Sequence, residues 1–199
     1  YFFLAFRLMN SLDLPPTIQS PVFTNFTNEM CNVATAQMYD VLWGSEQTMI
    51  PPSEIMTLYR NKTGRYTFSL PLKIGAHMAG AEKQECTLLE KIGELLGTVF
   101  QIRDDDINLY GSEKESGKPA GSDIKEGKKT LGLSLVFEKV NPGEKKRLLS
   151  LINSEEISDK DIVEIKELMV TYDIPLAVSS IIEDLNGKAE VLIDKINPL

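Results

Sequence analysis

Residues 100–129 read FQIRDDDINLYGSEKESGKPAGSDIKEGKK. The stretch starts as the end of an apolar-periodic helix, passes through three consecutive aspartates, and leaves the helix at Tyr110 and Gly111. A loop carrying four glycines and five lysines follows. At helical spacing Gln101, Asp104, Asp105 and Asn108 stand at i, i+3, i+4 and i+7, so two carboxylates and two amides share one face. Asp106 points elsewhere, within reach of Arg103 at i−3. Two such carboxylates repel one another unless a cation lies between them, and an all-oxygen donor set suits a hard ion such as Mg2+. In the loop, glycines let backbone N–H groups approach an anion, while Lys118, Lys125, Lys128 and Lys129 supply charge. A lone acidic run is ordinarily a solvated helix face. Followed by a glycine and lysine loop, it describes a site for a phosphate ester held through metal.

The composition narrows the remaining choices. A chain of 199 residues with 42% hydrophobic content can bury a sizeable core, and its length fits one domain. The formal charge of −8 argues against a general nucleic-acid binder, which needs a net basic face. Cys31 and Cys86 are the only cysteines, without ligand-spaced neighbours, so neither a disulfide framework nor zinc is indicated and a reducing, cytoplasmic compartment is expected. His77 is the only histidine, which excludes mechanisms needing two. The apolar opening YFFLAF meets Arg7 and Asn10 well before the ~20 residues a membrane span requires.

Working outward, the chain reads as a series of helices without strand alternation. Ser20 and Pro21 predict a helix start, as cap and first-turn proline. From there Phe23, Phe26, Met30, Val33, Gln37, Asp40 and Val41 fall close to one face. Gln37 and Asp40 on that face either reach a ligand or are satisfied by neighbouring polar groups. Pro51, Pro52 and Ser53 open a further helix, in which Ile55, Met56, Tyr59, Lys62 and Thr63 keep one face. Lys62 there either reaches an anion or extends to the surface. Gly64 and Pro71 predict a kink between Thr63 and Ile74. Glu82 to Tyr110 is the longest uninterrupted pattern and reads as a central helix, with Leu88, Leu89, Ile92, Leu95, Leu96, Val99 and Phe100 as its apolar stripe. Gly93 and Gly97, four apart, allow close approach of another helix. Leu131 to Val140, a capped helix from Asn141, Pro142 and Glu144, then Ser158 to Tyr172 and Pro175 to Ile196 complete an all-helical count.

FQIRDD with Asn108, then Gly117 and Lys118, then DIKEGK at Asp123 to Lys128, resembles the second aspartate-rich motif and following loop of trans-isoprenyl diphosphate synthases (the polyprenyl synthetase family). AQMYDVLW at Ala36 to Trp43 is similar to the family's Gly-Gln-x-x-Asp segment, and NKTG at Asn61 to Gly64 to its Lys-Thr motif. All four occur in the family's order over most of the chain. The resemblance implies an all-α, single-domain antiparallel helical barrel of the isoprenoid synthase type, usually dimeric. The implied activity is a Mg2+-dependent prenyltransferase condensing an allylic diphosphate with isopentenyl diphosphate. Wording nearest to short-chain members implies geranylgeranyl or farnesyl diphosphate as product. A non-catalytic partner subunit of a heteromeric synthase is the alternative.

By resemblance Asp104 and Asp105 bind Mg2+ bridging to diphosphate, and Asn108 stands where many relatives carry a third aspartate. Gln101 and Gln37 line the cavity, with Asp40 in the same polar layer. Lys62 contacts the allylic diphosphate, Thr63 lies near the developing cation, and Lys118 and Lys128 reach the diphosphate from the loop. Ala36 replaces the family's glycine. The family's first aspartate-rich motif is implied to precede YFFLAF and does not occur in residues 1–199. The expectation is therefore a domain lacking its N-terminal helices, inactive in prenyl transfer by itself, with Leu96 and Val99 uncovered.

Overall fold

The computed structural model describes residues 2–111, 121–154 and 156–196. Among them every regular element is helical: α1 (Phe2–Asn10), α2 (Pro16–Ser45), α3 (Pro52–Tyr59), a π-helix (Arg60–Ser69), α4 (Leu70–Met78), α5 (Lys83–Tyr110), α6 (Ser122–Lys125), α7 (Leu131–Lys139), α8 (Pro142–Ile152), α9 (Asp159–Thr171) and α10 (Ile174–Ile193). Among these residues no helix is long and apolar enough to cross a membrane.

Helix α5 is the element about which the others pack. The π-helix, α4 and α3 lie against it, as does α10, while α2 backs the π-helix and α4. Helix α7 joins α3 to α9 and α10. The main core lies between α3, α5 and the C-terminal helices, where Ile55, Leu148, Ile165 and Met169 are fully buried. Each such side chain contributes about 1.5–3 kcal/mol relative to exposure. Glu82 caps α5 and Glu85 returns the bond to the Glu82 N–H at 2.9 Å. Reciprocal boxes from Asn141 and Ser158 start α8 and α9 in the same way, satisfying donors that have no intrahelical partner.

Close approach to α5 is possible because the contact residues lack side chains. A Cβ on Gly93 would lie 2.4 Å from Ser69 Cα, and one on Gly97 would lie 2.6 Å from Gly64 Cα. The kink predicted between Thr63 and Ile74 is instead a ten-residue π-helix, ending where the Leu70 N–H donates to Arg65 O, a five-residue span. Pro71 follows immediately and has no N–H to give to the preceding turn. The wide turns are held from the side by an ion cluster. Arg65 pairs with Glu29 of α2 (Nε···Oε2 3.0 Å) and with Glu94 of α5, and Lys73 pairs with Glu90 at 2.8 Å.

Helix α2 differs from its sequence reading in two respects. It begins at Pro16 rather than at Ser20 and Pro21, because Pro16 already supplies the preset φ of a first position. Pro21 is inside the helix, and Asn25 Nδ2 donates to its carbonyl at 2.7 Å. The buried residues of α2 are Val22, Glu29, Met30 and Ala36, so the packed face is rotated from the one expected. Phe23 and Gln37 are exposed and Val41 is 68% exposed, because the charged pairing of Glu29 with Arg65 turns the Glu29 side of α2 toward the π-helix. In α5, Leu96 and Val99 are half-buried rather than uncovered, Val99 packing on the core; the exposed large apolar residues are Phe100, Ile107 and Tyr110. The segment after Gly121, read as loop, contains the single turn α6.

Candidate functional site

The last three turns of α5 bring the acidic residues to one end of the packed helices, and the π-helix delivers Lys62 and Thr63 beside them. Thr63 is buried, and its hydroxyl donates to Gln101 Oε1 at 2.6 Å. Gln101 Nε2 donates to Asp105 Oδ1 at 3.1 Å and lies 3.5 Å from Asp104 Oδ2. Lys62 pairs with Asp40, joining the π-helix to α2. Asp106 lies apart from this face, 4.0 Å from Arg103, as the spacing predicts.

Adjacent in sequence, Asp104 and Asp105 have different surroundings. Asp104 is exposed, with Asn108 Nδ2 3.4 Å from its Oδ2. Asp105 is 7% exposed and both of its oxygens are engaged. Oδ2 accepts from the Tyr59 hydroxyl, while Oδ1 accepts from Lys128 Nζ at 2.9 Å in addition to Gln101. Burial pushes the Asp105 carboxyl above the usual carboxylate range, against the pull of Lys128 and the bonds from Tyr59 and Gln101. Burial, reinforced by Asp105, likewise raises the Tyr59 phenol well above its ordinary value and keeps it a donor. Lys128 also bonds Asp123 at 2.8 Å. Burial works against its charge, but the two carboxylates outweigh it and hold the ammonium above its usual range.

Thr63, Gln101, Asp104, Asp105, Asn108 and Lys128 are therefore brought into one connected group, Lys62 and Asp40 form a separate pair, and Gln37 is exposed on α2. Lys118 lies outside the described residues. Of the other loop lysines, Lys125 pairs with Asp159 of α9, and Lys129 is 5% exposed, where burial lowers its pKa. Two members were not singled out in the sequence. Asp123 is 5% exposed and is shared by Lys128 and by Asn108 Nδ2, at 3.3 Å. Tyr59 reads from the sequence only as a member of an apolar stripe, although a tyrosine in a core needs a partner for its hydroxyl.

The exposed carboxylate of Asp104 is a hard-oxygen donor, and the neighbouring Asn108 turns its Nδ2 toward it. Among the described residues no three acidic, histidine or cysteine side chains converge as a closed metal cage. That combination suits Mg2+, which keeps several waters and is characteristically bound through one or two carboxylates plus the oxygens of a phosphate ligand.

An all-helical bundle with this constellation at the end of its central helix defines the isoprenoid synthase class. The polyprenyl synthetase family profile matches residues 1–169, and the chain belongs to that family. It is 31% identical over 175 residues to the geranylgeranyl diphosphate synthase of Sulfolobus acidocaldarius, covering 87% of this chain and 52% of the relative. The crystal structure of geranylgeranyl pyrophosphate synthetase from Pyrococcus horikoshii superposes with a TM-score of 0.87 at 26% identity, covering 98% of this chain and 58% of that one. Geranylgeranyl pyrophosphate synthase from Corynebacterium glutamicum, complexed with isoprenyl diphosphate and magnesium, gives 0.84 at 26% identity, covering 94% and 52%. The chain thus spans a little over half the length of these relatives.

Proposed function

We propose that the protein is a Mg2+-dependent prenyltransferase that condenses an allylic diphosphate with isopentenyl diphosphate, giving a short-chain product such as geranylgeranyl or farnesyl diphosphate. The observation that carries this reading is the hydrogen-bonded group in which Thr63 meets Gln101, Gln101 meets Asp104 and Asp105, and Asp105 meets Lys128, with the separate Lys62–Asp40 pair on the residue preceding Thr63. Its support is membership of the family and likeness to synthases of that activity.

Lys62 and Lys128 would hold the anionic oxygens of the diphosphate, exchanging Asp40 and Asp123 for it. Asp104, with Asn108, would hold Mg2+, which when bound supplies Lewis-acid stabilisation of the departing pyrophosphate. The allylic C–O bond breaks with its electron pair leaving on the pyrophosphate. The double bond of isopentenyl diphosphate attacks the resulting carbocation, and the proton then lost passes to a pyrophosphate oxygen. The Thr63 hydroxyl and Gln101 amide, bonded to one another, would face the cation as fixed dipoles. No serine, cysteine or histidine nucleophile is required. We place the protein in a reducing compartment, the cytoplasm, in keeping with free Cys31 and Cys86, and read it as a homodimer, in keeping with the apolar residues Met38, Val41 and Leu42 exposed along α2.

Product analysis of the full-length gene product tests the reading, using labelled isopentenyl diphosphate with dimethylallyl, geranyl and farnesyl diphosphates. Chain elongation that requires Mg2+ is expected. Failure to incorporate label with any of the three allylic partners would overturn the assignment.

A further inference from the structure

Tyr59 ends α3 and is 2% exposed. A phenylalanine would fill the same apolar space, so the hydroxyl needs its own explanation. That oxygen is used twice, donating to Asp105 Oδ2 and accepting from the Leu131 N–H at 2.9 Å. Through Asp105 the contact continues to Lys128, and through Lys128 to Asp123. The Gly121 N–H donates to Asn108 O at 2.9 Å, tying the start of the same segment to α5. A single phenol thus lies at the junction of α3, α5, the first turn of α7 and the segment from Gly121 to Thr130.

We propose that Tyr59 is a positioning residue: by occupying Asp105 Oδ2 from the core side, it leaves Oδ1 as the anchor for Lys128 and so fixes the segment 121–130 against the exposed Asp104. The two neighbouring aspartates then have divided tasks. Asp105 faces inward and holds protein, while Asp104 faces outward and is left for a ligand. This inference rests on the proposed function for the role of Asp104 and Lys128 in diphosphate binding. The Tyr59 anchorage itself is independent of that function.

The test is Tyr59→Phe, which keeps the ring and removes one oxygen. In the ligand-free protein, amide exchange at Leu131 and across residues 121–129 is expected to rise about tenfold, the effect of losing a hydrogen bond to a charged partner. The Mg2+ concentration that half-saturates binding of inorganic pyrophosphate is expected to rise several-fold, with the variant well below its melting temperature. Leu148→Val, placed in the core away from these bonds, serves as the comparison: it lowers the melting temperature and leaves that Mg2+ midpoint unchanged. Asp105→Asn should reproduce the faster exchange, and the double variant should add little to either single one. Unchanged exchange in Tyr59→Phe overturns the proposal. Faster exchange with an unchanged Mg2+ midpoint also overturns it, reducing Tyr59 to a structural bond. If the unaltered protein shows no Mg2+-dependent pyrophosphate binding, the proposed function fails, and the exchange data still decide whether Tyr59 anchors the segment.

Discussion

Gly64 and Gly97 meet with no room for a methyl group between them: a Cβ on Gly97 would stand 2.6 Å from Gly64 Cα and 2.8 Å from Phe68 Cδ2. The neighbour is backbone, which cannot rotate away, and it belongs to the wide turns that carry Lys62 and Thr63. Gly97→Ala is therefore expected to destabilise the protein by about 1–3 kcal/mol, the usual range for overpacking. It should also weaken pyrophosphate binding by displacing Lys62. Denaturant melts combined with calorimetric titration check both. Unchanged stability would mean that the π-helix can shift freely along α5.

Asp104→Ala should abolish Mg2+-dependent binding of pyrophosphate and leave the melting temperature within a few degrees of the parent, because the side chain is exposed and holds nothing in place but two long amide contacts. Asp105→Ala should lose the same binding but also lose stability, since it strips a buried partner from Tyr59 and Lys128. Calorimetric affinity equal to the parent in both variants would exclude the acidic face as the ligand site.

Residues 121–129 should become better protected from amide exchange when Mg2+ and pyrophosphate are added together. Gly121 and Gly127 have positive φ, at 80° and 77°, and give the segment turns that other residues adopt at a cost. Lys128 is the described link from this segment to the acids of α5, and a shared anion would reinforce it. Identical protection with and without ligand would count against closure of this segment.

The cluster at Glu29 predicts a specific acid sensitivity. Burial pushes the Glu29 carboxyl up, but the bonds from Arg65 and Asn32 outweigh it, so its folded pKa lies below the ordinary 4.5. The contribution to stability is then complete above about pH 4.5 and disappears as pH falls through the folded value. Glu29→Gln should lower stability at neutral pH and flatten the acid side of the stability profile. A profile parallel to that of the parent down to pH 3 would remove Glu29 from the account.

The start of α8 was legible because a cap and a first-turn proline act locally: Asn141 with Pro142 and Glu144 announces the helix without help from the rest of the fold, while α5 was legible from its long apolar period alone. The same local reading failed at Pro21, where an equally good signal lay inside a helix that Pro16 had already begun. The face of α2 was misread because Glu29, a charged residue, is buried, and only its partner 36 positions away explains why. At the site, the i, i+3, i+4, i+7 spacing brought out Gln101, Asp104, Asp105 and Asn108. It could not distinguish Asp104 from Asp105, since their difference comes from Tyr59 and Lys128, distant in sequence.

Lys62 and Lys128 are each already bound to a carboxylate. Ligand entry at these two residues is consequently an exchange of anions. The free energy gained is the difference between a phosphate oxygen and an aspartate oxygen at the same ammonium. Salt screens the bond that is broken as well as the bond that forms. Pyrophosphate affinity should therefore decline only gently as potassium chloride is raised at constant free Mg2+, in contrast to the steep loss typical of an open basic pocket.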